Sequence, residues 1–272
     1  MIKIQRPTAY SLQPQASSLK PPALTLTWIG HSTVLIRLGD DRFLTDPVFS
    51  AAIPVLKRRR PPGMRWEDLP PLTAVLVSHG HYDHLDAPTL SRLDPGVPIV
   101  IPPRATFLVP GLSGKTLVEV PPWQSVTIGK TLIHAVPARH FGGRFLADSL
   151  FRRGAGFVLE QGGRSVYFAG DTAWFSGFRK IGARFAPEVA AIPIGAYRPR
   201  FVMRWSHVNP EEAARAFRDL GSRWFFPIHW GTFPLSLEPM GEPIKKIQEI
   251  MFREKMQDRL VVPHPGREWS PD

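Results

Sequence analysis

Residues 73–79, TAVLVSH, form an apolar run that leads directly into a polar cluster. Three histidines and an aspartate then fall within six positions, His79, His81, Asp83 and His84. An apolar run of this length reads as a buried strand. So many imidazoles cannot follow it into the core unpaired, so the strand must end there, at the edge of a sheet. The chain turns at such an edge, which lets alternate side chains converge on one point. Imidazole and carboxylate together suit zinc, iron or manganese. A tetrahedral ion takes three or four ligands, so four donors here plus donors elsewhere would make room for two ions.

Other candidates also stand at the ends of apolar runs. They are His140 in VPARHF, Asp171 in FAGDT and His229 in PIHWG. Taken singly, each has an ordinary structural explanation, such as a hydrogen-bonded histidine or a helix-capping aspartate. The 79–84 cluster changes that reading, because a paired-metal site needs partners from distant strands. No cysteine occurs in the 272 residues, so any metal must sit on histidine, carboxylate and water.

The rest of the chain reads as many short elements. Thirty prolines, about twice the usual share of roughly 5%, favour short strands and fixed loops over long helices. Residues 24–46 carry three strand-like runs in quick succession, which predicts an antiparallel meander. Further strands are expected at 97–103, 115–120, 124–129, 131–138, 154–161, 164–172, 189–196 and 223–231, with a short helix at 86–94. Asn209, Pro210 and Glu212 predict a capped helix that Gly221 stops, and residues 242–256 predict a last amphipathic helix. Strand meanders each followed by helices suggest a two-sheet α/β core in one domain, residues 24–272, preceded by a polar, proline-rich surface arm over 1–23. No window of 18 apolar residues occurs, and the N-terminus lacks a signal-like apolar core, so a cytoplasmic protein is expected. The formal charge of +11 suits anionic partners but names none.

The motifs LTDP (44–47), SHGHYDH (78–84), RH (139–140), GDT (170–172) and IHW (228–230) occur in the order typical of the metallo-β-lactamase superfamily, which the chain resembles over roughly 25–235. The stretches WIGHSTVLI, LTDPVFS, AAIPIGAYRPR, SHVNPEEA and IHWGTF resemble, within it, the N-acylphosphatidylethanolamine-hydrolysing phospholipase D family. The more distant ascorbate-phosphate lactonase relatives share fewer of them. This resemblance implies an αβ/βα sandwich of two mixed sheets with outer helices, and two zinc ions in a groove at the sheet edges. It implies that His79, His81 and His140 hold one ion, that Asp83, His84 and His229 hold the other, and that Asp171 bridges them. Asp46 would orient a ligand histidine by hydrogen bond, and His207, ahead of the 210 helix, would act on the phosphoryl group or its leaving group.

The implied reaction is attack by a shared, metal-activated hydroxide on a phosphodiester, giving a phosphatidic acid and an N-acylethanolamine. Tyr82 and Trp230, beside the metal motifs, are expected to line the substrate groove. His31, in IGHST, is expected to be structural or groove-lining and to bind no metal. Residues 48–63 place an apolar stretch before Lys57, Arg58, Arg59 and Arg60, which could meet the inner membrane face. The resemblance also leaves room for a homodimer. Alternatives are hydrolysis of a small cyclic ester and a binding protein that keeps the metal site without turnover. A short basic run and no added nucleic-acid module argue against a nuclease.

Overall fold

Alternation along the strands determines how the sheets stack. In the computed structural model, which describes residues 4–5, 23–54, 56–105, 112–142 and 153–271, the strand β3 (Thr33–Leu38) sends Val34, Ile36 and Leu38 into one core and Leu35 into another. The strand β7 (Ala74–Leu76), in the same sheet, divides in the same way, with Ala74 and Leu76 on one side and Val75 on the other. A strand apolar on both faces must be covered on both, so this sheet has a second sheet on one side and helix on the other.

The first sheet runs in the order β16 (Glu268–Trp269), β2 (Leu24–Gly30), β3, β4 (Asp41–Thr45), β7, β8 (Ile99–Ile101) and β9 (Leu117–Glu119). Strands β2, β3 and β4 form the expected antiparallel meander, and β4, β7, β8 and β9 then run parallel. The second sheet follows the same plan. Its order is β1 (Ile4–Gln5), β10 (Ser125–Ile128), β11 (Thr131–Phe141), β12 (Arg153–Gln161), β13 (Arg164–Phe168), β14 (Val189–Pro193) and β15 (Trp224–Ile228). It is antiparallel as far as β13 and parallel from there to β15. A two-stranded ribbon, β5 (Ala52–Ile53) with β6 (Leu56–Lys57), stands apart.

Helix α1 (Ala87–Ser91) covers the outer face of the first sheet, where Leu90 packs with Val75, Val77 and Ile99. On the second sheet, α4 (Pro210–Leu220) lies on β14 and touches both α2 (Gly177–Phe185) and α5 (Glu242–Arg253). A short turn of helix, α3 (Arg200–Met203), precedes α4. The architecture is the αβ/βα sandwich of two mixed sheets with outer helices.

Several elements lack a clear sequence signal. Helix α2 carries Gly177 and Gly182 within nine residues, which weakens its propensity. Gly182 is there for packing, since a Cβ on it would stand 2.6 Å from the Asp219 carbonyl oxygen of α4. Helix α3 and strand β16 are too short for any periodicity to show. Of the arm expected over 1–23, the described residues are Ile4–Gln5, which pair with β10, and Ala23; the remainder lies outside the described residues.

Helix α4 begins as its sequence predicts. The Asn209 side chain accepts from the Glu212 backbone N–H at 2.8 Å, Glu212 reaches back to the Asn209 N–H, and Gly221 closes the helix with φ 69°. Replacing Asn209 by Ala should lower unfolding stability by about 1 kcal/mol. Urea denaturation would show this as a lower midpoint with an unchanged slope.

Candidate metal centre

Most residues of the centre follow the end of a strand, and several leave it through a left-handed backbone. His31 after β2 has φ 55°, Asp46 after β4 has φ 34°, and His229 after β15 has φ 59°. Gly170 at φ 58° turns the chain between β13 and Asp171; a Cβ there would stand 2.4 Å from the Ser78 Cβ. The loop after β7 coils tightly, with the N–H groups of His84 and Leu85 both donating to the His81 carbonyl. His140 sits in β11 where its register slips between Pro137 and Phe141. Such bends re-aim side chains that regular strands would point elsewhere.

Two groups of donors result. In the first, His81 Nδ1 lies 2.9 Å from His79 Nε2 and 3.1 Å from His140 Nε2. One ring nitrogen cannot satisfy two others with a single proton. In the second, Asp83 Oδ2 lies 3.4 Å from His84 Nε2 and 3.5 Å from His229 Nε2. Asp171 stands between the groups. Its Oδ2 is 3.1 Å from His84 Nε2 and 3.9 Å from both His79 Nε2 and His140 Nε2, and its Oδ1 is 3.1 Å from His229 Nε2. Ligands about 2.1 Å from a tetrahedral ion stand roughly 3.4 Å apart, so these separations match a coordination shell. His84 Nε2, His229 Nε2 and Asp171 Oδ1 are buried and make no hydrogen bond, although they approach within 3.1 Å. Close but misaligned donor atoms aim past each other at common points, where a cation would satisfy them. The donor set therefore fits metal.

Hydrogen bonds behind the rings fix which nitrogen faces inward. Ser78 Oγ and N both donate to Asp46 at 2.6 Å. With its proton committed, Ser78 Oγ accepts from His79 Nδ1 at 2.9 Å, which leaves the His79 lone pair on Nε2. His84 Nδ1 donates to Asp46 Oδ2 at 2.6 Å, and His140 Nδ1 donates to the Ser206 carbonyl at 2.8 Å. Three imidazoles are thus held as tautomers able to ligate through Nε2.

The electrostatics divide the rings. Burial, then neighbouring imidazoles, hold His79 well below its ordinary value, and burial does the same to His140. Burial takes His31 down to about 3 and His207 to about 4. Burial also opposes charge on His84 and His229, but Asp171 and Asp83 overcome it; His84 rises well above its usual range and His229 to about 9. Burial disfavours the charged carboxylates of Asp171 and Asp83, yet the surrounding imidazoles win and hold both well below the normal range.

All seven expected ligands, His79, His81, Asp83, His84, His140, Asp171 and His229, meet in this centre. Asp46 sits behind it as expected, on His84. His207 lies beside it, with Nδ1 3.8 Å from Asp171 Oδ2. Two of the remaining residues, His31 and Trp230, are buried beside the second donor group. His31 is buried behind the second group, with Nε2 2.9 Å from Asp83 Oδ2. Trp230 is buried, stacked on Trp28 with ring centroids 4.7 Å apart. Tyr82 is exposed. In the 48–63 loop, Val48 and Ile53 turn inward onto Phe233, and Arg58 bonds the Val48 and Ser50 carbonyls. Ser78 and Ser206 were not anticipated. Ser78 adjoins the histidine motif but resembles any serine, and Ser206 acts through its backbone, which no side-chain pattern reveals.

A sequence profile of the beta-lactamase superfamily domain matches residues 41–230. The chain belongs to the metallo-β-lactamase superfamily. Within this superfamily it is 38% identical to N-acyl-phosphatidylethanolamine-hydrolyzing phospholipase D 1 of Caenorhabditis elegans, over 88% of this chain and 73% of that protein. It is 32% identical to a metal-dependent hydrolase of Methanosphaerula palustris, over 89% of this chain and 98% of that one. The fold is shared with a metallo hydrolase of Ignicoccus hospitalis at a TM-score of 0.71 and 21% identity, covering 92% and 99% of the two chains. Like these superfamily members, the protein is a metal-dependent hydrolase. No helix among the described residues is long and apolar enough to cross a membrane.

Asp46→Asn removes the charge that orients His84 and Ser78, and should weaken metal affinity about 10- to 100-fold, read by competition with a chromogenic chelator. The metal-free protein should also lose stability in acid. His79, His140, His31 and His207 stay neutral in the fold while the unfolded chain takes up protons below about 6.5. His229 acts oppositely: its contribution is complete below 6.5 and drains as pH rises through about 9. Thermal midpoints of chelated protein should therefore be highest near 6.5, falling below it and falling again between about 6.5 and 9.

Proposed function

We propose that the centre holds two divalent cations, zinc with iron or manganese as alternatives, and hydrolyses a phosphodiester of the N-acylphosphatidylethanolamine type. The observation that carries this is the position of Asp171, whose carboxylate oxygens lie 3.1 Å from His229 and His84 of one donor group while its Oδ2 stands 3.9 Å from His79 and His140 of the other. A carboxylate shared between two donor groups is what a paired site requires. The 38% identical relative named for this lipid hydrolysis supports the substrate class.

Cations held by these seven residues would supply a hydroxide nucleophile near neutral pH and would stabilise charge on the phosphoryl oxygens. The chain's own residues do the rest. Asp46 and Ser78 hold His84 and His79 by their Nδ1 atoms, so that Nε2 of each ring already faces the cation positions. His31 donates to Asp83 and keeps that carboxylate turned inward. His207 Nδ1 is buried without a hydrogen-bond partner, immediately before the capped N-terminus of α4. Burial keeps this ring neutral, with its value lowered to about 4, so it suits hydrogen-bond donation to a phosphoryl oxygen better than proton delivery to the leaving alkoxide.

Offered N-acylphosphatidylethanolamine, bis-p-nitrophenyl phosphate, a lactone and a structured RNA, the metal-loaded protein should release N-acylethanolamine and phosphatidic acid from the first. Turnover of the lactone alone would replace this reading with a carbonyl-directed one. His207→Ala should cut lipid turnover by about a hundredfold or more while the metal content stays constant. Loss of metal from that variant would make His207 a structural residue instead.

A further inference from the structure

The segment that carries His207 also carries the largest group of exposed apolar side chains near the centre. Phe201 is 77% exposed, Val202 52% and Trp205 49%. All three lie on or just after α3, within six residues of His207. Two more exposed apolar residues border them. Leu237, 75% exposed, donates its N–H to the Arg198 carbonyl, and Phe141 follows His140, whose ring holds the Ser206 carbonyl. Isolated exposed apolar residues are ordinary, but a contiguous set beside a catalytic centre marks an interaction site.

The charge around the patch indicates what it meets. Residues 195–208 contain Arg198, Arg200 and Arg204 and no aspartate or glutamate. Arg198 and Arg200 are neutralised by Glu242 and Glu212. Arg204 and Arg139 have no carboxylate partner among the described residues; both guanidinium groups stack on Trp205, at 4.5 Å and 5.4 Å from its ring centroid. An exposed tryptophan braced by two uncompensated arginines has an apolar body for acyl chains and positive charge for phosphates. A twofold contact between copies would instead bring these same arginines toward each other.

We infer that Phe201, Val202 and Trp205, with Arg139 and Arg204, dock the protein on an anionic lipid bilayer and thereby present the His207 side of the centre to the membrane. The inference extends the phospholipid reading above, because a lipid substrate must leave a bilayer to reach the metal centre. It assigns docking to a different surface from residues 48–63, whose Val48 and Ile53 are already buried and whose Arg58 is engaged with backbone carbonyls.

The test is co-sedimentation of the metal-loaded full chain with vesicles of phosphatidylcholine, with and without phosphatidylglycerol. Wild type should bind the anionic vesicles more tightly and lose that preference at high salt. The double variant F201S/W205S should lose about tenfold or more in vesicle affinity. R204E should lose about fivefold or more and most of its preference for phosphatidylglycerol. K57E/R59E should bind as wild type does. Unchanged metal content and thermal midpoint identify variants that remain folded. Equal binding by wild type and folded F201S/W205S would overturn the inference, as would loss of binding in K57E/R59E alone. A wild-type dimer that ignores vesicles and that F201S/W205S splits would reassign the face to a second copy. Because sedimentation needs no turnover, vesicle binding without lipid hydrolysis would refute the proposed substrate and leave the docking surface in place.

Discussion

Imidazole nitrogens and a carboxylate oxygen buried together with no hydrogen bond between them are the constraint around which this protein is built. His84 Nε2, His229 Nε2 and Asp171 Oδ1 make no hydrogen bonds although they are sealed from water. Each such group left unpaired costs about 1–3 kcal/mol. The cost is not relieved by the neighbours, because Ser78, Asp46 and the Ser206 carbonyl hold the Nδ1 side of three rings and turn their Nε2 atoms inward. A positive charge at the focus satisfies all of them at once, which is why metal binding and the integrity of the centre are one property.

Holding that arrangement requires backbone strain, and the two sheets supply the rigidity to bear it. Left-handed turns at His31, Asp46 and His229 each cost of order 1–3 kcal/mol. Those turns sit where buried strands end, and the strands behind them are covered on both faces. The two halves interlock at the centre: the His229 N–H donates to the His31 carbonyl, joining the end of β15 to the end of β2. Gly195 allows the same loop to close, since a Cβ there would stand 2.2 Å from the His229 carbonyl oxygen.

Much of this could be read from residue order. Apolar runs that stop at His79, His140, Asp171 and His229 marked strand ends, and strand ends are where an open sheet gathers its ligands. The meander of β2, β3 and β4 and the capped α4 followed from alternation and from Asn209, Glu212 and Gly221. What escaped notice depends on long-range packing. Helix α2 is held by its fit against α4 through Gly182, a reason invisible in its own residues. Trp230 has the size of a groove residue, yet stacking on the distant Trp28 buries it. The basic run divides by geometry, so that Arg58 and Arg60 lie over the Phe233, Trp28 and Trp230 rings although sequence places them together with Lys57 and Arg59.

The arrangement of Asp171 between two donor groups is most directly tested by counting ions. Elemental analysis alongside native mass spectrometry, on active protein purified without chelator, should find two divalent cations per chain, with activity lost as the second is withdrawn. Full hydrolytic activity at one ion per chain or fewer would contradict it.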